Sequence, residues 1–337
     1  MAKVGVREIS RRTGFSPATV SNALNHKRGV SKETTEKILR VASELGYKRP
    51  GKIEGVRFVL ARRSGNVLND GLFHLGVIEG VEAQASALGL KTTFTTLDLL
   101  DTANARQLAA RICDDPLNGI ILLGTEMEEE DYDLFIDAAA AGVVCDGWSN
   151  RYFFESIVTS NENSAYRAVS YLIQKGHREI GYICGSTRIR NFPLRERGYR
   201  HALRENGLAP NPDFRVEVGV DVDSAFDSMS RWLAGNPLLP TAFFVENDTM
   251  AFGCMRAMEQ HGIKIPEEVS VFGFDDLNLA SIATPPLSTM HIPNRIMGEL
   301  AVTTLVDMVQ HPRDYTRVTH LSTTLVERES VRDLTQA

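Results

Sequence analysis

The chain has 337 residues, of which 43% are hydrophobic and 24% charged, with 26 Gly and 13 Pro. These values are ordinary for a globular protein, so they exclude collagen-like and low-complexity classes, and the length favours about two domains. The net charge of −6 divides unevenly, because residues 1–55 carry +7 and the remainder carries −13. A small basic segment before a larger acidic body indicates that only the first segment meets a polyanion.

The sequence predicts a cytoplasmic protein that contacts no membrane. No window approaches the ~20 apolar residues of a membrane-spanning helix, and residues 1–7 lack the apolar core of a signal peptide. The cysteines are at least 32 residues apart, so no CxxC zinc or redox pair exists and a disulfide framework is not expected. They are Cys113, Cys145, Cys184 and Cys254.

Helix-type periodicity fills residues 1–47. Apolar positions recur at helical spacing in three segments, each of which would bury one face in a shared core. The positions are Val6, Ile9 and Thr13, then Val20, Ala23 and Leu24, and then Ile38, Leu39, Ala42 and Leu45. Gly14 permits a tight turn after the first helix, Ser16 can cap the second, and Pro17 suits its first position. The pattern predicts a helix-turn-helix DNA-binding domain over 1–47 and a short linker over 48–55.

The second helix of a helix-turn-helix presents its N-terminal end to the major groove of DNA. We expect Pro17, Ala18 and Asn22 to face the groove, since asparagine pairs with adenine and the two small apolar residues can touch a thymine methyl group. Short polar or basic side chains are better placed for phosphates. With the capping Ser16, these are Thr19, Ser21, Asn25, Lys27 and Arg28. A helical bundle with a solvated basic face is the alternative interpretation.

Beyond residue 55, short apolar β-rich runs alternate with amphipathic helices. Strands are predicted at 56–61, 92–96, 119–123, 143–145, 156–159, 179–184, 214–218, 241–245, 269–274, 288–292 and 321–327. Helices are predicted at 75–88, 103–112, 132–141, 163–175, 194–206, 225–234, 249–260 and 295–310. Such alternation implies parallel sheets that are covered on both faces.

There are too many strand and helix units for one compact sheet. The sequence therefore predicts an α/β body over 56–337 with two lobes and a cleft between them. The first lobe would comprise about 56–155 and 288–312, and the second about 156–287 and 313–337. Ligands of open α/β sheets bind at the carboxyl ends of the strands, so the functional loops should follow the predicted strands.

The quoted residues carry a resemblance to a known family. Residues 5–47 resemble the DNA-binding head of the LacI-type bacterial transcription regulators, through SPATVSNALN at 16–25, VSKET at 30–34 and ELGY at 44–47. The body resembles the periplasmic-binding-protein-like effector domain of the same family, through GHREIGY at 176–182, RERGY at 195–199, PTAFFVEND at 240–248 and VFGFDD at 271–276. The resemblance implies a homodimeric repressor of a palindromic operator, controlled by a small carbohydrate-like effector.

The same resemblance implies that Arg195, Asn247 and Asp275 line the cleft. A guanidinium, an amide and a carboxylate can together hold the vicinal hydroxyls of a sugar. Further candidates lie in loops after strands, where an aromatic ring can cover a sugar and a polar group can fix hydroxyls. They are Phe73, Trp148 and Phe192, and Asp146, Arg190 and Asn191. For each of these, a core aromatic or an exposed polar residue is an equally good interpretation.

Two departures from the family pattern stand out. Arg62 and Arg63 follow the first body strand, where they could favour an anionic effector such as a uronic acid or a sugar phosphate; a solvated basic patch is the alternative. The linker contains GKIEG at 51–55, whose glycines oppose the short hinge helix that the family usually has there. We therefore expect the linker to set operator spacing without inserting a side chain into the minor groove.

Catalysis finds no support in the sequence. The histidines form no HxH or HExxH pair, and no GxSxG elbow occurs. A sugar-converting enzyme would need a metal or an acid/base cluster, and a free solute-binding protein would need a signal peptide but no basic head. The sequence predicts no catalytic centre, no metal site and no cofactor.

Overall fold

The computed structural model describes residues 6–24, 30–45, 53–64, 72–115, 117–136, 138 and 140–336. The described residues up to Ile53 belong to one compact unit, the head, and Glu54–Leu305 with Arg313–Ala337 form another, the body. The predicted DNA-contacting residues Asn25, Lys27 and Arg28, and most of the predicted linker, lie outside the described residues.

The helices and strands alternate in the body as the sequence predicted. The helices are α1 (Val6–Thr13), α2 (Pro17–Leu24), α3 (Lys32–Glu44), α4 (Leu72–Ala87), α5 (Thr102–Cys113), α6 (Asn161–Gln174), α7 (Asn191–Glu205), α8 (Val222–Leu233), α9 (Asp248–Gln260) and α10 (Asn294–Gln310). The strands are β1 (Gly55–Arg62), β2 (Lys91–Asp98), β3 (Asn118–Leu123), β4 (Gly142–Cys145), β5 (Glu155–Thr159), β6 (Ile180–Gly185), β7 (Arg215–Val218), β8 (Ala242–Val245), β9 (Ser270–Phe272), β10 (Thr289–His291), β11 (Val318–Leu321) and β12 (Thr324–Val326).

The head is a three-helix unit with an apolar core. Six predicted residues are buried together there: Ile9, Val20, Ala23, Leu24, Ile38 and Ala42. Gly14 has a φ of +74°, which allows the chain to turn sharply between α1 and α2. The Oγ of Ser16 accepts a hydrogen bond from the backbone N–H of Thr19 at 3.1 Å, and Pro17 opens α2. The predicted core, turn and cap are confirmed.

The body contains two parallel sheets. The first lobe is built on a six-stranded sheet in the order β11-β5-β4-β3-β1-β2, and the second on a four-stranded sheet in the order β7-β6-β8-β9. Strands β3 and β5 are buried along nearly their whole length, as expected for sheets covered on both faces. A short antiparallel pair, β10 with β12, completes the strands of the body. No helix in the described part of the chain combines the length and the apolar character needed to cross a bilayer.

The predicted lobe boundaries were wrong at three places. Residues 288–292 were assigned to the first lobe, yet Ser288 bridges to Phe272 and His291 to Asp275, at the end of the second sheet. Residues 156–159 and 313–321 were assigned to the second lobe, yet β5 and β11 pair with each other inside the first sheet, with Val318 opposite Ser156. The predicted strand at 321–327 is divided between β11 and β12, which belong to different sheets. An apolar run specifies burial but not the sheet that receives it, so the pattern could not separate the two halves.

The predicted helix at 132–141 is instead a short 3₁₀ turn at Glu129–Leu134. Its acidic side chains are used in contacts with distant residues: Asp131 accepts two hydrogen bonds from Arg63, at 2.7 and 2.8 Å. The carboxylate of Glu129 binds the loop after β4. These contacts hold the segment in a tighter turn than an α-helix would allow.

Candidate functional site

Polar side chains gather where the strands of both sheets end. Asp146 follows β4 and Asp275 follows β9, and both have positive φ angles, 53° and 114°, which are uncommon for residues other than glycine. Such strained backbone is found mostly at functional sites. Other polar residues at these ends include Thr125 after β3, Asn161 after β5, and Asn191 and Arg195 after β6.

A chain of hydrogen bonds links the first lobe to the second. Asp146 accepts from the hydroxyl of Thr125 at 2.8 Å and from the amide of Asn191 at 3.0 Å. Asn191 in turn accepts from Asn161 at 3.1 Å, and Asn161 accepts from Nε of Arg195 at 2.9 Å. Asn161, Asn191 and Arg195 are at most 4% exposed, and Asp146 and Thr125 are each 5% exposed. These side chains, together with Asp275, form the polar floor of the cleft.

Arg195 is the cation of this floor. Its Nη1 lies 3.1 Å from Oδ1 of Asp275 and also donates to the carbonyl oxygen of Glu246. The guanidinium carbon is 3.7 Å from the ring centroid of Phe274, close enough for a cation–π contact. A buried charge is tolerated only when it is paired and hydrogen-bonded, and Arg195 meets both conditions.

Two carboxylates lie near this guanidinium, but only Asp275 is paired with it. Burial raises the pKa of Asp275 to about 6, although Arg195 opposes the shift. Burial also raises the pKa of Asp146, against the effects of Thr125, Arg195 and Asn191. Carboxylates that lack strong donors are natural acceptors for the hydroxyl or N–H groups of a ligand.

A second contact between the lobes lies beside this floor. Nη1 of Arg190, from the second lobe, donates to Oε2 of Glu129 in the first lobe at 3.0 Å. The guanidinium carbon of Arg190 also lies 4.9 Å from the ring centroid of Trp148. Burial opposes ionisation of Glu129, but hydrogen bonds from Ser149, residues 150–151 and Arg190 lower its pKa to about 2. The pair is therefore ionised at any physiological pH.

The remaining predicted effector residues have mainly structural contacts. Phe192 is 1% exposed and belongs to the apolar core of the second lobe. Asn247 caps α9, because its side-chain oxygen accepts from the N–H of Met250 at 2.9 Å. Phe73 is half-buried and meets the ring of His74 edge-on at 5.5 Å.

Arg63, which the sequence suggested as a contact for an anionic effector, is already paired with carboxylates of the protein. Its guanidinium is held by both oxygens of Asp131, and Glu128 lies 3.7 Å away. Arg62, the last residue of β1, is exposed. The structure thus assigns the two adjacent arginines to different environments.

Several polar residues near the strand ends were missed by the sequence analysis. Nε2 of His74, the hydroxyl of Tyr132 and Oγ1 of Thr159 are buried without a hydrogen-bond partner. Burial lowers the pKa of His74 to about 4, although Glu126 opposes the shift, so the imidazole is neutral at pH 7. Thr125 and Asn161 each follow an apolar strand closely, a signal that was available; nothing in the sequence distinguishes His74.

The described DNA-contacting candidates are all on the accessible side of the head. Ser16, Pro17 and Ala18 are exposed, while Thr19, Ser21 and Asn22 are partly exposed. The hydroxyl of Ser16 is shared between the N–H of Thr19 at 3.1 Å and the hydroxyl of Thr19 at 2.8 Å. Ser16 thus has a structural role as a helix cap, whatever else it contacts.

A helix-turn-helix head joined to a two-lobed α/β body with a polar cleft defines a ligand-responsive DNA-binding regulator. Comparisons with known proteins agree. Residues 6–50 match the family described as bacterial regulatory proteins, lacI family, and residues 169–331 match the periplasmic binding protein-like domain.

The similarity to individual proteins extends over almost the whole chain. The chain is 30% identical to the HTH-type transcriptional repressor PurR of Vibrio cholerae and 30% identical to the ribose operon repressor of Haemophilus influenzae, over 98% of this chain and 99% of each relative. Among solved structures, the transcriptional regulator CelR in complex with cellobiose is 25% identical, with a TM-score of 0.72, over 97% of this chain and 99% of that one. The lac repressor dimer bound to operator and the anti-inducer ONPF has the same TM-score at 23% identity, over 98% and 99%. The chain belongs to the LacI family of bacterial regulatory proteins, and it is a DNA-binding transcription regulator controlled by a small molecule.

Proposed function

We propose that this protein is a cytoplasmic homodimeric repressor whose affinity for a palindromic operator is set by a sugar-like effector in the cleft. The observation that carries the proposal is the buried polar floor, which runs from Thr125 through Asp146, Asn191, Asn161 and Arg195 to Asp275. A relative is named a ribose operon repressor, and a related solved regulator holds cellobiose. Both support a carbohydrate as the effector.

The cleft supplies complementary groups for a polyol. Asp146 and Asp275 would accept hydrogen bonds from hydroxyls, while Asn191 and Arg195 would donate to ring or hydroxyl oxygens. Trp148 would offer an aromatic face, as aromatic residues do in many ligand sites. Because these groups come from both lobes, a ligand that contacts all of them favours the closed arrangement and shifts the population that binds DNA.

In the head, Pro17, Ala18 and Asn22 would read bases, and Thr19, Ser21, Asn25, Lys27 and Arg28 would contact phosphates. One head contacts too few base pairs for specificity, so two heads related by a two-fold axis would read a palindrome.

The effector part is tested by a thermal-unfolding screen with neutral sugars, uronic acids and sugar phosphates, since a ligand of the folded state raises Tm. Compounds that raise Tm are then added to an operator-binding assay. Asp275→Asn should abolish the response to the effector while operator affinity is kept. Asp223→Asn removes the same charge from an exposed side chain and should leave the response to the effector intact. Loss of operator binding by a folded Asp275→Asn protein would contradict the assignment.

The DNA part is tested with two head variants. Asn22→Ala should relax the preference at one base pair, a loss of about 1–3 kcal/mol of discrimination. Lys27→Ala should weaken binding to all sequences alike and lower the slope of log affinity against log salt by about one. Equal effects of both variants on specific and non-specific DNA would contradict these roles.

A further inference from the structure

Four arginines follow the carboxyl ends of β1 and β6, and each is already paired with a carboxylate of the protein. The pairs and their closest N–O distances are Arg63–Asp131 at 2.7 Å, Arg188–Glu246 at 2.7 Å, Arg190–Glu129 at 3.0 Å and Arg195–Asp275 at 3.1 Å. The segment 65–71, outside the described residues, contains no Lys or Arg. Of the described arginines at the ends of these two strands, Arg62 has no carboxylate partner, and its side chain is exposed.

The floor of the cleft has a surplus of carboxylate. Asp146 accepts hydrogen bonds from two neutral donors, Thr125 and Asn191, whereas Asp275 is only ion-paired with Arg195, and its buried Oδ1 has no hydrogen-bond partner among the described residues. An anionic ligand would add a further negative charge beside these two buried carboxylates, where like charges repel strongly. A neutral ligand with hydroxyl or N–H groups would instead donate to both of them.

Arg190 lies where the two lobes meet, and its Nη1 donates to Glu129 at 3.0 Å. The Glu129 carboxylate accepts a hydrogen bond from the hydroxyl of Ser149. It also accepts from the backbone N–H groups of residues 150–151, at 2.9–3.1 Å. It cannot leave Arg190 without breaking this turn. The guanidinium carbon of Arg190 also lies 4.9 Å from the ring centroid of Trp148, so one face of the guanidinium is covered as well.

We propose that the cleft selects an uncharged, hydroxyl-rich effector and rejects phosphorylated or carboxylated ones, with Glu129 as the residue that determines this specificity. The proposal deepens the proposed function, on which it rests. It assigns to Glu129 a role that acts through Arg190: the carboxylate keeps the guanidinium from serving as an anion site.

Inorganic phosphate is a direct probe, because its binding does not require the effector to be known. Tm is measured in sodium phosphate and in sodium chloride of equal ionic strength. Because phosphate raises the Tm of folded proteins without binding a site, the gain of the wild-type protein is the baseline. Glu129→Gln, which frees Arg190, should gain about 2 °C or more in phosphate beyond that baseline. Glu130→Gln changes the neighbouring exposed carboxylate and is the matched control; it should behave as wild type.

Two results would overturn the proposal. The first is a wild-type protein stabilised by phosphate, with the effect lost in Arg190→Gln or Arg62→Gln. The second is a folded Glu129→Gln protein, verified by circular dichroism and operator binding, whose Tm gain in phosphate is no larger than that of the wild-type protein.

A matched set of sugars separates this proposal from the function on which it rests. Glucose, glucuronate and glucose 6-phosphate are compared, and likewise the corresponding derivatives of any sugar found in the screen. A larger Tm rise with the neutral member supports the selection, and a larger rise with an anionic member overturns it. If no sugar of any charge raises Tm or changes operator binding, the sugar-effector function fails, while the phosphate experiment still decides the role of Glu129.

Discussion

The core of the head and the floor of the cleft are held together by different forces. All six buried core residues of the head are apolar, and they lie on three helices close in sequence. The floor of the cleft is made of buried amides and charges whose partners are far apart in sequence, such as Asp146 with Asn191 and Arg195 with Asp275. Truncating an apolar side chain costs stability in proportion to the buried apolar surface that is lost. Removing one partner of a buried ion pair costs more, because it leaves the other charge buried and unpaired.

The largest expected effect tests the polar network. Arg195→Ala should lower the free energy of unfolding by about 3–5 kcal/mol, because it leaves the buried carboxylate of Asp275 without its cation. Arg197→Ala, two residues along the same helix, removes an exposed arginine paired with Glu162 and should cost less than about 1 kcal/mol. Urea unfolding followed by circular dichroism measures both.

If the two arginine variants lost similar stability, the cleft would be supported by general packing, and the contrast with the head would disappear.

The head should respond to a cavity. Ile38→Ala removes a fully buried side chain and should cost roughly 2–4 kcal/mol. A unit of this size has little stability to spare, so much of the head should unfold and operator affinity should fall more than about tenfold. Thermal shifts caused by effectors should persist. Glu36→Gln is the control, because it changes an exposed residue two positions before Ile38 on the same helix, and it should keep the head folded.

The head was predictable from the sequence because its determinants are local. Each determinant, the apolar spacing within each helix, the turn at Gly14 and the cap at Ser16, is visible within a few residues of its own segment. No distant contact is needed to interpret them.

The candidate site was predictable only in part. Asp146, Asn191, Arg195 and Asp275 follow strands, and the ends of parallel strands meet at one edge, so their convergence could be predicted. Which carboxylate holds which arginine could not, since Glu129 and Arg190 are 61 residues apart in sequence. For the same reason, an aromatic residue such as Phe192 could not be separated from the core before the structure placed it there.

Buried titratable groups make the free energy of unfolding depend on pH. The pKa of His74 is lowered to about 4 by burial, so between about pH 6.5 and 4 the unfolded chain binds a proton that the folded protein does not. Stability is therefore lost as the pH falls through this window, by on the order of 3 kcal/mol from this residue. His74→Gln should remove that loss from the urea-unfolding profile.

His261→Gln replaces an exposed imidazole and should keep the wild-type pH profile. Asp275 acts in the opposite sense, because its raised pKa makes the folded protein bind a proton more readily below about pH 6. Its contribution is common to the wild type and both histidine variants, so the difference between profiles isolates His74. Identical profiles for all three proteins would contradict the burial of a neutral imidazole.

The smallest expected effect separates two roles of one residue in the head. Ser16→Ala removes the cap of α2 and should cost about 1 kcal/mol, as should Ser31→Ala, whose side chain caps α3 at 3.2 Å. Ser16→Asp keeps a capping oxygen and adds a charge that suits a helix N-terminus, so stability should return to within about 0.5 kcal/mol of wild type.

On DNA the same aspartate would face phosphates and repel them. If Ser16 lies at the DNA surface, Ser16→Asp should weaken operator binding more than Ser16→Ala does, although it is the more stable of the two variants. Ser31→Asp provides the matched control, since Ser31 is not among the predicted DNA contacts. If operator affinity followed stability in both serine series, Ser16 would be a cap alone, and the groove-facing end of α2 would have to begin further along the helix.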